Sequence, residues 1–148
     1  SYTNIIKDKV LEPIRKFIRA EFIGAPVYIG TSYETRGNQS IRIECLSQDI
    51  RSEGGHGFEN EYLVQITYYI TASNFASKTV MDKVYADVSR LEQLLFNKAD
   101  PVNRSDDGCY YGGLVIGIEF NQKTAEEDEV DGLLTAKIEY LCYYTKMS

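Results

Sequence analysis

EYLVQITYYIT, residues 61–71, decides how this chain folds. Tyr62, Val64, Ile66, Tyr68 and Ile70 alternate with Leu63, Gln65, Thr67 and Tyr69, the period of two that sends successive side chains to opposite faces of a strand. β-Branched and aromatic residues suit such a surface because they pack well on a pleat. The period then changes. After the capping oxygens of Ser73 and Asn74, the residues Val80, Val84, Val88, Leu91 and Leu95 recur at helical spacing, widened by Met81 and Leu94. This predicts a helix over 75–96, about 33 Å long at 1.5 Å per residue. Lys78, Asp82, Lys83, Asp87 and Arg90 are expected on or near its wet side.

Upstream, Ile6, Val10, Ile14 and Phe17 mark one face of a first helix, with Thr3 as its N-cap. Pro13 lacks the amide that would bond the Lys9 carbonyl, so the helix kinks there or restarts with Pro13 in its first turn. Gly24 and Pro26 stop it. Two short strands are expected at 27–31 and 41–46, joined by the turn-rich TSYETRGNQS. Residues 48–60, QDIRSEGGHGFEN, hold three glycines around His56 and read as a flexible loop outside the core.

Downstream, 97–108 is a loop by composition. Residues 110–120 predict a strand with Leu114, Ile116, Ile118 and Phe120 on one face, interrupted by Gly112, Gly113 and Gly117. An acidic turn at 121–132 leads to a last strand over 133–144, whose inward set is Leu134, Ala136, Ile138, Tyr140, Cys142 and Tyr144. The order α-β-β-β-α-β-β, with no repeat or internal boundary, predicts one α+β domain over 1–148. Two amphipathic helices then pack on one face of an antiparallel or mixed β-sheet. The other face carries Leu63, Tyr69, Val115, Leu133, Leu141 and Tyr143, too apolar to be left wholly in water.

Composition excludes several classes. Of 148 residues, 16 are Lys or Arg and 22 Asp or Glu, a net charge of -6 that argues against a protein coating nucleic acid. No apolar run approaches the roughly 20 residues of a membrane span, and no basic-then-apolar leader precedes the first helix. Three cysteines without a CxxC pair argue against a disulfide framework or structural zinc and for a reducing compartment.

The chemistry of catalysis is not in evidence. The single histidine, His56, sits among glycines where nothing would hold it as a general base, and Glu53, His56 and Glu59 make a poor metal set. No phosphate-cradling glycine pattern follows a strand into a helix. Glu126, Glu127, Asp128, Glu129 and Asp131 lie at a polar turn where nothing would raise a carboxyl pKa. The reading is of a non-enzyme without cofactor. Twelve tyrosines suit an interaction module, because a tyrosine buries its ring and still satisfies its hydroxyl.

The layout resembles the tail terminator (tail completion) proteins of long-tailed bacteriophages and related contractile particles. The resemblance covers nearly the whole chain. It rests on the opening helix over 2–19, the PVYIG strand at 26–30, the tyrosine-rich strand 61–71 running into the long helix 75–96, and the closing run LCYYTK at 141–146. It implies an α+β virion protein, made in the host cytoplasm, that forms a homo-hexameric ring on the tail tube and joins it to the head connector. The partners implied are further copies of itself, the tail tube protein and the neck proteins, with DNA passing through the lumen unbound. Leu63, Tyr69, Leu141 and Tyr143, with His56 and Phe58, are the expected interface, and Glu126 to Asp131 the expected lumen acids. Another neck or head-completion protein is the first alternative. A small-molecule-binding α+β domain, with the glycine loop as its lid, is the second.

Overall fold

A computed structural model describes residues 2, 4–30, 38–54, 57–72, 75–97, 109–123 and 132–147. His56, Thr3 and the acids Glu126, Glu127, Asp128, Glu129 and Asp131 lie outside them.

The chain opens with a π-helical turn, Ile6–Leu11, which passes without a break into α1, Glu12–Glu21. Pro13 sits in the first turn of α1, where the π-helical turn gives way to α-helix, so its missing amide falls at the change of helix type. Gly24, at φ 95°, turns the chain toward β1, Val27–Ile29. Then come β2 (Gln39–Gly54), β3 (Gly57–Ala72), α2 (Lys78–Asn97), β4 (Cys109–Lys123) and β5 (Gly132–Met147). The order is the α-β-β-β-α-β-β expected of the sequence.

The strands make one mixed sheet in the order β1-β2-β3-β5-β4. β1 runs parallel to β2, and every other neighbouring pair is antiparallel. At its centre β3 and β5 pair without interruption from Gly57↔Met147 to Ala72↔Gly132. Both helices cover one face. Val10, Ile14, Phe17 and Ile18 from the first helix, and Val84, Val88, Leu91 and Leu95 from α2, share a single core with Tyr62, Val64, Ile66, Tyr68 and Ile70 of β3. The predicted inward set of β5 is buried throughout.

Four expectations are corrected. Residues 48–60 are not a loop but the two arms of a β2–β3 hairpin, paired out to Gly54↔Gly57. A 16-residue strand is about 53 Å long at about 3.3 Å per residue, whereas the 20 residues of α2 span about 30 Å. The helix is therefore much shorter than the longest strands. Ile50, opposite Asn60 on the core-facing pleat, is 62% exposed, while Asn60 and Tyr144 in the same row are buried.

The faces of β4 also differ from expectation. Register shifts at Gly112/Leu114 and Val115/Gly117 insert Gly113 and Ile116 as bulge residues. Each insertion reverses the alternation. Leu114 thus faces outward, opposite Leu141, while Val115 pairs with Tyr140 and packs on the core instead of lining the outer face. The start of α2 moves from 75 to Lys78, leaving Phe75 buried ahead of it. Finally Asp87 is buried, not wet, because it lies between Val84 and Leu91 in the stripe that faces the sheet.

Candidate functional site

The outer face of the sheet divides into three zones. Near the hairpin end, Leu63, Leu141 and Leu114 pair directly across β3, β5 and β4. Tyr143 stands one pleat further on, opposite Glu61. Leu63, Leu141 and Tyr143 are partly buried, and Leu114 is exposed. Gly113 lets this cluster close. A Cβ there would run into the Leu141 carbonyl oxygen and lie 2.9 Å from Cε2 of Tyr143.

The middle zone is polar. Gln65, Glu139, Lys137 and Glu119 line a shallow depression of about 340 Å³ beside Gly117 and Ile118. At the far end Tyr69 stacks within 5.6 Å of the Arg42 guanidinium, and Tyr28 approaches it at 5.9 Å from β1. Ser40 and Thr67 are buried on this same face. The Ser40 hydroxyl and Arg42 Nε have no hydrogen-bond partner there.

Of the expected interface residues, the fold thus joins Leu63, Leu141 and Tyr143 and adds Leu114, which the sequence had assigned to the wrong side. Tyr69 stands apart, six residues or about 20 Å along β3, and engages Arg42. Phe58 pairs with Glu53 across β2 and with Lys146 across β5, inside the hairpin end rather than a loop.

Elsewhere the polar groups serve the fold. The Asp87 carboxylate accepts hydrogen bonds from Tyr68 OH (2.7 Å), Gln39 Nε2 (3.1 Å) and Lys83 Nζ (2.9 Å), tying α2 to β2 and β3. Burial pushes the Tyr68 phenol far above its usual pKa of 10, with the Asp87 hydrogen bond acting in the same direction. Burial likewise raises Tyr62 and the Cys45 thiol. Neither group is primed as a nucleophile or base, since both are held neutral. Arg90 Nε reaches Glu21 Oε1 at 2.9 Å and its Nη2 donates to the Glu21 carbonyl at 2.6 Å, with the guanidinium 4.6 Å from the Phe22 ring.

An open groove of about 580 Å³ lies below the end of α1, but Arg15 on its wall already donates to the Val27 carbonyl (3.0 Å) and faces Glu12. Among the described residues no three His, Cys, Asp or Glu come together as metal ligands, and no helix is long and apolar enough to cross a membrane.

Comparison with known proteins returns a shared fold at low sequence identity. No protein-family model matches the chain, and no curated protein does. Among solved structures, a chain of the virion of a native gene transfer agent particle aligns over 99% of this chain and 100% of its own, at 12% identity and a TM-score of 0.60. A second aligns over 98% and 96% at 14% identity, with a TM-score of only 0.46. The chain therefore shares its fold, end to end, with a virion component.

Proposed function

We propose that this protein is a non-enzymatic structural component of a phage-like virion, and within it a tail terminator. It closes as a homo-hexameric ring on the tail tube and presents the surface that docks the head connector. The observation that carries the virion role is the end-to-end alignment with the gene transfer agent virion chain. The outer-face cluster Leu63, Leu141, Leu114 and Tyr143 supports an assembling subunit, since its apolar atoms gain when another surface excludes water from them. A ring of identical copies uses two different patches per subunit, which accounts for apolar surface beyond what a monomer needs.

The lumen acids belong to the same reading. Glu126, Glu127, Asp128, Glu129 and Asp131, with a net chain charge of -6, line the channel and repel passing DNA. Changing these five to Lys leaves the ring mass unchanged and lowers DNA delivery by assembled particles. Loss of the ring itself would refute their placement in the lumen.

The test of the whole reading is the native mass and shape, by light scattering and negative-stain averaging over a concentration series. Six subunits of 16.8 kDa give a ring of about 100 kDa. A protein that stays with headless tails is a terminator; one that stays with tail-less heads is another neck component.

A further inference from the structure

Among the described residues, both lateral edges of the sheet lack a paired strand over the same height. β1 covers β2 only at Ile41, Ile43 and the Arg42 between them, so among the described residues the outer edge of β2 is unpaired from Glu44 onward. At the opposite side β4 is the last strand, and among the described residues no strand pairs with its outer edge over 109–117. The cross-sheet rows place these edges level with each other. Glu44, Gln65, Glu139 and Gly117 form one row, Ser47, Leu63, Leu141 and Leu114 a second, and Ser52, Glu59, Thr145 and Cys109 a third.

The two edges match in three further respects. While β3 advances from Glu59 to Gln65, β2 fits in two bulge residues, Leu46 and Arg51, and β4 fits in two, Gly113 and Ile116. Their residue counts and added twist therefore agree with each other, though not with the straight β3–β5 centre. Their senses agree as well. β2 runs against β3, and β4 runs with it, so β4 of one copy beside β2 of the next continues the antiparallel alternation. Lastly, each edge carries exposed aliphatics in this interval: Leu46 (46%) on β2, and Leu114 (52%) and Ile116 (48%) on β4.

Copies related by rotation about an axis along the strands meet only at equal heights, which is the relation these edges satisfy. We infer that the subunit joins a second copy head to tail, β4 over 109–117 pairing antiparallel with β2 over 44–52 of its neighbour, so that the sheets run on around the ring. The bulge at Ile116 bends β4 at the height where β1 takes over the edge of β2, and so steers the incoming strand past it. Because the edges differ, the contact is heterologous and propagates until the rotation closes. This inference rests on the ring reading above and adds which surfaces meet.

The experiment uses Leu46→Lys and Ile116→Lys, each a surface change that buries a charge only if the edges pair. Native mass and circular dichroism are recorded for the wild type, each variant and their equimolar mixture. A wild-type ring, monomers of each variant with native spectra, and a mixture yielding a dimer of about 34 kDa are expected. In that mixture the intact β4 edge of Leu46→Lys meets the intact β2 edge of Ile116→Lys, a single contact that cannot propagate. Rings that survive in both variants would overturn the edge contact and leave the ring reading standing. Dissociated variants that form no mixed dimer would overturn the head-to-tail pairing. A wild type that stays monomeric at all concentrations would overturn both readings.

Discussion

Tyr68 of β3 donates its hydroxyl proton to the buried Asp87 carboxylate of α2 at 2.7 Å, which fastens the long helix to the centre of the sheet. Gln39 adds donated hydrogen bonds to both partners at 3.1 Å, and Lys83 neutralises the carboxylate from the solvent side. Tyr68→Phe removes one bond to a charged group, and a loss of about 1.5–3 kcal/mol follows. Urea unfolding at pH 7 measures it. Asp87→Ala leaves the buried Tyr68 hydroxyl with only the bond it accepts from Gln39, its own proton unpaired, and so costs more than Tyr68→Phe.

The same pair contributes to the loss of stability at alkaline pH. Burial and Asp87 raise the folded-state pKa of Tyr68 above its unfolded value of 10. The folded state thus holds a proton that the unfolded chain releases, so this contribution is full below pH 10 and declines as pH rises beyond it. Urea midpoints should fall between pH 9 and 11, and fall less steeply in Tyr68→Phe. Equal slopes in the two proteins would show that Tyr68 is not the group responsible.

Arg90 holds α2 against the end of α1 through one carboxylate, one carbonyl and one ring. Its half-exposed carboxylate pair is worth little alone. The bond from Nη2 to the Glu21 carbonyl, made while Nε holds the carboxylate, and the stacking on Phe22 supply most of the effect. Arg90→Ala is expected to lose about 1–2 kcal/mol, and Arg90→Lys to recover under half of it, because lysine offers no fork. Thermal unfolding at low and high salt checks this, with only a small salt dependence expected.

Two glycines of β4 make an internal control. Gly113→Ala drives a methyl into the Leu141 carbonyl and costs about 1–3 kcal/mol by overpacking. Gly117→Ala meets open space and is expected to be neutral or slightly stabilising, through loss of unfolded-chain freedom. Comparing their melting temperatures separates a steric role from a merely flexible one.

The elements visible in the sequence were those whose side chains alternate against a core. Tyr62 to Ile70, Leu134 to Tyr144 and Val84 to Leu95 follow that rule and were read correctly. Residues 48–60 were misread because their polar residues and glycines carry no alternating apolar pattern, although the backbone ladder pairs them out to Gly54↔Gly57. The β4 faces were misassigned because a bulge shifts the alternation without leaving a signature beyond Gly113. Asp87 could have been placed, since it falls three after Val84 and four before Leu91, opposite an inward tyrosine that needed a polar partner. Of the expected site, Leu63, Leu141 and Tyr143 were legible as outward apolar residues. Their neighbour Leu114 was hidden by the bulge.

The position of β5 has a consequence in time. It is synthesised after every other strand yet takes its place between β3 and β4. The β2–β3 hairpin closes from neighbouring residues, whereas Gly57↔Met147 joins positions far apart in the chain, and such pairing is slow to form. Until it forms, β3 exposes a sixteen-residue unpaired edge to other nascent chains, and β4 has no sheet to belong to. The β4 edge is thus created by the last folding step and exists only once the subunit's own sheet is complete.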